Sequence, residues 1–206
     1  KLSNLLKAAS KCHFGKSTAI ELKNAAKHSI VLSIPAKSLE IRHTIRLIDE
    51  LNSEIAEIES EIQKIMDELN SSILTIPGIG YDMGAMILAE IGDLSKFSSP
   101  DKILAYAGLS PTTYQSGYFD SSHSKMEKRG SKYLRYALFN ATKYVCMWDP
   151  VFKEYLAKKR AEGKHYYVAL SHAAKKLVRL IYALEKSHMP YTPKEIWFFY
   201  TFSFRA

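Results

Sequence analysis

Ser116 and Gly117 lie in a stretch that also carries Lys125, Lys128, Arg129, Lys132 and Arg135, and this set of residue types suits phosphate chemistry. A hydroxyl beside glycine sits on a backbone that can come close to a phosphodiester. Nearby cations can neutralise the charge that develops on the phosphate oxygens. A serine in a basic loop serves more often as a solvated phosphate contact than as a nucleophile, so the residue types leave both roles open. His123 lies in the same stretch and could act as a base, although a single loop histidine rarely does.

A second phosphate signal lies upstream, in Ile76-Pro77-Gly78-Ile79-Gly80 and the apolar run from Tyr81 to Glu90. Gly78 and Gly80 allow backbone conformations and close approaches that a side chain forbids. The helix that follows would offer free N–H groups and the positive end of its dipole. A helix-hairpin-helix module grips a nucleic-acid backbone in this way, without reading bases. An ordinary tight turn between two packed helices would use the same residues. Charge bears on the choice. The net charge is +8, with residues 36–70 at −5 and residues 101–206 at +10. A polyanion is therefore drawn to the C-terminal half and repelled by the middle.

Other chemistries are poorly supported. Gly15-Lys16-Ser17 ends like a nucleotide-binding loop, but position 10 is Ser where that loop needs Gly. Asp82, Glu90, Asp93, Asp101, Asp120 and Glu127 do not form the paired arrangement of a two-metal nuclease. The seven histidines show no metal-ligand spacing, so no metal site is expected within this chain. Cys12 and Cys146 are far apart and outside any CxxC pattern, which fits a reducing cytoplasm. No apolar run reaches the roughly 18–20 residues of a membrane helix, and no membrane partner is expected. Tyr114 and Tyr118 flank Ser116, but the Arg-His-Arg cluster of a tyrosine recombinase does not accompany them.

The elements that must position these residues read as all-α: a long coiled-coil helix followed by a helical domain containing the hairpin motif. Residues 1–35 form a linker and short helices, with an amphipathic helix over 17–34 that Pro35 closes. Residues 36–72 form a coiled-coil helix. In it Ile41, Ile45, Ile48, Leu51, Ile55, Ile58, Ile62, Ile65 and Leu69 recur at steps of three and four. This seam predicts a homodimer through residues 37–70, or an antiparallel hairpin with 17–34. Residues 73–192 form the hairpin-bearing domain, with the hairpin turn and its helix over 76–92, further helices over 100–107, 131–147, 150–161 and 165–187, and a long loop at 109–130. Residues 193–206 are an aromatic tail.

The order of these motifs resembles a known family. The turn at 76–80, Phe97, Ala105-Tyr-Ala-Gly108-Leu-Ser-Pro111, Ser116-Gly117, Lys128-Arg-Gly130, Leu134-Arg135-Tyr-Ala-Leu138 and Gly163-Lys164 together look like the C-terminal part of an insertion-sequence transposase. In this group an N-terminal RuvC-like domain with four acidic residues precedes a serine-bearing domain, and the group includes pilin-gene invertases. The resemblance implies that Ser116 is a nucleophile forming a transient phosphoserine link to DNA. It implies that magnesium is held by the RuvC-like domain, which this chain lacks, so that the chain alone would be inactive. It also implies a structured RNA that chooses the DNA, and a cytoplasmic, nucleoid-associated location in a bacterium or archaeon. Gly78, Gly80, Lys125, Lys128, Arg129, Lys132 and Arg135 are then the expected nucleic-acid contacts. A nucleic-acid-binding and dimerisation module without chemistry of its own is the alternative.

Overall fold

The computed structural model describes residues 1–29, 35–111, 115–116, 119–120 and 126–193, the two short pieces as backbone only. The described residues form eight α-helices and one two-stranded hairpin with two residues in each strand. The protein is all-α, as the periodicities predict. It divides into two compact units, residues 1–53 and 54–206.

The first unit holds α1 (Leu2–Ala9), α2 (Lys16–Lys27) and the first half of α3 (Pro35–Leu69), and α1 packs along α2. α2 is shorter than the predicted 17–34. Its apolar stripe ends at Ala26, and the His28 N–H closes the last turn on the Asn24 carbonyl at 3.1 Å. Pro35 opens α3 rather than closing the helix before it, a position where its missing N–H has no partner to lose. Along α3, Ile41, Ile45, Ile48, Leu51, Ile55 and Ile58 are each at least half exposed. Among the described residues this face is not covered. Over its last turns α3 meets the second unit: Met66 enters its core, and Ile62 of the seam, one turn earlier, packs partly buried against it.

At the centre of the second unit α6 (Lys132–Trp148) packs on α8 (Tyr166–Ser187). α4 (Tyr81–Ile91) and α7 (Pro150–Ala161) lie against α6, while α7 and α5 (Pro100–Tyr106) lie against α8. The buried stripes are Leu134, Ala137, Leu138, Ala141 and Val145 on α6, and Leu170, Ala173, Leu177, Val178, Ile181 and Leu184 on α8. Each buried Leu or Ile contributes about 1.5–3 kcal/mol, and the alanines among them let the backbones approach. Ser131 caps α6 by accepting the Leu134 N–H at 3.0 Å, and its hydroxyl donates to Glu90 Oε2 on α4 at 2.5 Å. Asp149 caps α7 ahead of Pro150 by accepting the Phe152 N–H at 2.9 Å. Its other oxygen, fully buried, accepts the Tyr191 hydroxyl at 2.5 Å, and the Tyr191 N–H donates to Thr75 Oγ1 at 2.7 Å. Burial, with the Asp149 carboxylate beside it, pushes the Tyr191 hydroxyl well above its ordinary value. Residues 194–206, most of the predicted aromatic tail, lie outside the described residues.

The segment 109–130 differs from the expected open loop. Its ends pair: Glu127 N–H donates to Ser110 O at 3.0 Å, Lys128 N–H to Gly108 O at 3.1 Å, and Pro111 bridges antiparallel to Met126. Further out, β1 (Gln115–Ser116) pairs antiparallel with β2 (Phe119–Asp120), Gln115 opposite Asp120 and Ser116 opposite Phe119. The described parts of the segment pair antiparallel, as an arm. Turn-forming composition misled the reading here, because the pairing partners are distant in sequence and no periodicity announces them.

Candidate nucleic-acid interface

Two glycines hold the base of the arm against the helices. Gly130 has φ +107, and a Cβ there would lie 2.1 Å from the Tyr106 carbonyl oxygen. The next N–H, of Ser131, donates to that same oxygen at 2.8 Å. Gly108 has φ +66, and a Cβ there would lie 2.3 Å from the Arg129 carbonyl oxygen. Neither the left-handed backbone nor the contact admits a side chain. Arg135 ties the two sides together: its Nη1 donates to Ala107 O at 3.0 Å and to Lys128 O at 3.2 Å.

This junction opens onto a cleft of about 570 Å³ between the arm's base, the first half of α6 and the first half of α8. Leu109, Pro111 and Met126 supply its floor from the arm. α6 contributes Lys132, Arg135, Tyr136 and Phe139, and α8 contributes Tyr167, Val168, Ser171, His172 and Lys175. The spacing on each helix is i, i+3, i+4, i+7 or its equivalent, which lines one face. Lys128 completes the wall, and among the described residues no carboxylate lines the cleft. Burial and then the neighbouring Lys175, Lys164 and Lys159 charges hold the His172 imidazole below its ordinary value, with Glu162 opposing them. Burial, followed by the Arg179 charge, likewise lowers Lys175. An anion in the cleft would relieve both. At the α7–α8 junction Glu162 is engaged by Lys159 at 2.9 Å and by Lys164 at 3.9 Å.

Comparison with known proteins places this architecture. Residues 70–157 match the transposase family IS116/IS110/IS902. The 42 kDa protein of insertion element IS900 from Mycobacterium paratuberculosis is 31% identical over 183 residues, covering 86% of this chain and 45% of that protein. The pilin gene-inverting protein of Moraxella bovis is 32% identical over 167 residues, covering 78% of this chain and 51% of that one. The transposase of insertion sequence IS1328 from Yersinia enterocolitica is 36% identical over 87 residues, covering 41% and 26% respectively. This chain belongs to that family of insertion-sequence transposases. It spans about half the length of the first two relatives.

Within the transposase domain the expected site residues fall into separate places. Lys128, Lys132 and Arg135 meet in the cleft. Arg129 points away, its side chain 88% exposed and 3.9 Å from Glu127. Ser116 sits in β1, opposite Phe119; its side chain, together with Gly117, His123 and Lys125, lies outside the described residues. Gly78 and Gly80 part company. Ile79 N–H donates to Ile76 O at 3.1 Å and Gly78 has φ +93, so Ile76–Ile79 is a type II turn with Pro77 and Gly78 in their preferred positions. A Cβ on Gly78 would lie 2.7 Å from the Tyr144 carbonyl group, so the close approach there is to α6 itself. That packing accounts for Gly78 without a phosphate. Gly80 is exposed, heads α4, and has no atom within 4 Å of where its Cβ would be. The turn follows a 3₁₀ turn, Ser72–Thr75, in place of a full α-helix.

The residues missed from the sequence are Tyr136, Phe139, Tyr167, His172 and Lys175. Their signal was limited to polar and aromatic positions interleaved with the apolar stripes of amphipathic helices. Among the described residues no group of three or more His, Cys, Asp or Glu could hold a metal ion. No helix of the described residues is long and apolar enough to cross a membrane.

Proposed function

We propose that this chain is the DNA-handling part of a transposase, holding a nucleic-acid backbone in the cleft and presenting Ser116 on the arm above it. One observation carries the reading: Lys128, Lys132, Arg135 and Lys175 converge, with no carboxylate among the described lining residues, at the root of the arm that bears Ser116, in a chain of the transposase family. Phosphate contacts of this kind position a strand without reading its sequence. In the catalytic step the Ser116 hydroxyl oxygen bonds to phosphorus as the bond from phosphorus to a sugar oxygen breaks. The leaving oxygen ends with the proton that serine gives up. The cleft cations stabilise the charge that builds on the non-bridging oxygens. By the family resemblance, magnesium would be held by carboxylates elsewhere in the whole protein, and a structured RNA would select the DNA.

The exposed seam of α3 supports a further part of the proposal, that a second copy of the chain covers it. Six large apolar side chains at heptad spacing on an acidic helix are costly to leave in water.

Binding to duplex DNA and to a structured RNA across a salt series tests the reading. Removing two cations with Lys132→Gln and Lys175→Gln should lower the slope of log affinity against log salt by about two. Ser116→Ala should leave that slope unchanged while abolishing strand exchange by the full-length protein. An unchanged slope in the double lysine variant, or recombination retained without Ser116, would overturn the corresponding half.

A further inference from the structure

The cleft holds more than cations. Its volume of about 570 Å³ lies within the range of pockets for single small molecules, about 300–1,000 Å³. Three aromatic rings line it, Tyr136 and Phe139 one helical turn apart on α6 and Tyr167 facing them from α8. Tyr136 is 62% and Tyr167 61% exposed, too open to serve as core. The ring of Tyr167 is oriented from behind by its own neighbours: His165 lies 5.9 Å away and near parallel, and Tyr166 meets it edge-on at 5.4 Å. Cations stand beside the rings, Lys132 from the turn before Tyr136 and Lys175 from the turns after Tyr167.

Aromatic faces interleaved with lysines are what binds unstacked bases, because every base has a π-face and every linkage a phosphate. A protein that needed only the duplex backbone would gain nothing from aromatic rings in a recess. We infer that the cleft between α6, α8 and the arm takes an unpaired nucleotide, its base stacked on Tyr136 or Tyr167 and its phosphate held by Lys132 and Lys175. The strand is single-stranded DNA, or an unpaired segment of RNA. This rests on the proposed function but goes beyond it, since backbone gripping alone predicts no preference for unpaired strands.

The test uses the full chain and four probes: single-stranded DNA and RNA oligonucleotides carrying one 2-aminopurine, and the matching blunt DNA and RNA duplexes. The inference expects the 2-aminopurine emission to be quenched by stacking and single strands to bind more tightly than duplexes. Tyr136→Ala and Tyr167→Ala should each weaken single-strand binding by about five- to a hundredfold while leaving duplex binding within twofold. Tyr136→Phe should restore single-strand binding, which a general loss of structure would not allow; an unchanged melting temperature for the alanine variants provides a second check. Comparison of the DNA and RNA arms identifies which strand the cleft takes. Equal losses on single strand and duplex, or no loss on either, would overturn the inference while leaving the backbone-binding proposal standing. Absence of binding to all four probes by the unaltered chain would overturn both.

Discussion

Alanine at Gly78 and alanine at Gly80 should have opposite consequences, although the two glycines stand two residues apart in one turn. At Gly78 the added Cβ falls 2.7 Å from both the carbonyl carbon and the oxygen of Tyr144 and 2.9 Å from the Val145 nitrogen. These are backbone atoms inside α6 and cannot swing aside as a side chain end would. The φ of +93 adds about 1–2 kcal/mol of left-handed strain, and forcing α6 outward adds about 1–3 kcal/mol of overpacking. Together these cost about 2–5 kcal/mol, a large share of the ~5–15 kcal/mol that holds a domain folded. At Gly80, with φ −93 and nothing within 4 Å, alanine loses roughly 0.5–1 kcal/mol as a helix cap and regains about 0.4–1 kcal/mol by restricting the unfolded chain. Urea unfolding reads the difference directly. With a slope near ~2 kcal/mol per molar, Gly78→Ala should lower the midpoint by about 1–2.5 M and Gly80→Ala should leave it in place. A Gly78→Ala midpoint equal to that of Gly80→Ala would refute the packing argument. Loss of nucleic-acid affinity in the stable Gly80→Ala variant would assign phosphate binding to the start of α4.

Two further predictions concern charge and assembly. His172 faces Lys175, Lys164, Lys159 and Glu162 and is held below its ordinary 6.5, so the folded chain favours the neutral ring. Stability conferred by that preference is present above 6.5 and should fall as pH drops from 6.5 toward the folded value. A phosphate in the cleft favours the charged ring, so nucleic-acid binding should tighten over the same window; His172→Gln should flatten both trends, and a pH response that survives in that variant would refute the assignment. For the α3 seam, Ile55→Lys with Ile58→Lys should shift the mass measured by light scattering from dimer to monomer, and an unchanged mass would remove the proposed second copy.

Much of this protein was determined locally and could be read from the chain. The helix over 150–161 is marked by Asp149-Pro150 at its start and Gly163 beyond its end, and capping is a matter of adjacent residues. The buried stripes of α6 and α8 follow from a 3.6-residue period, because a helix must hide whichever face is apolar. The phosphate-directed types Lys128, Lys132 and Arg135, and the order of short motifs that marks the family, are likewise properties of sequence alone. Tertiary structure decided the rest, wherever the deciding contact joins residues distant in the chain. Gly78 reads as a phosphate cradle until α6, more than sixty residues on, is seen to occupy the space. The segment 109–130 reads as an open loop until Gly108 and Gly130 bring its ends together into an arm. His172, Lys175 and Tyr167 face the cleft only because α8 is set against α6. A pattern along the chain reports which face of a helix is polar; only packing determines whether that face meets water or the far wall of a cleft.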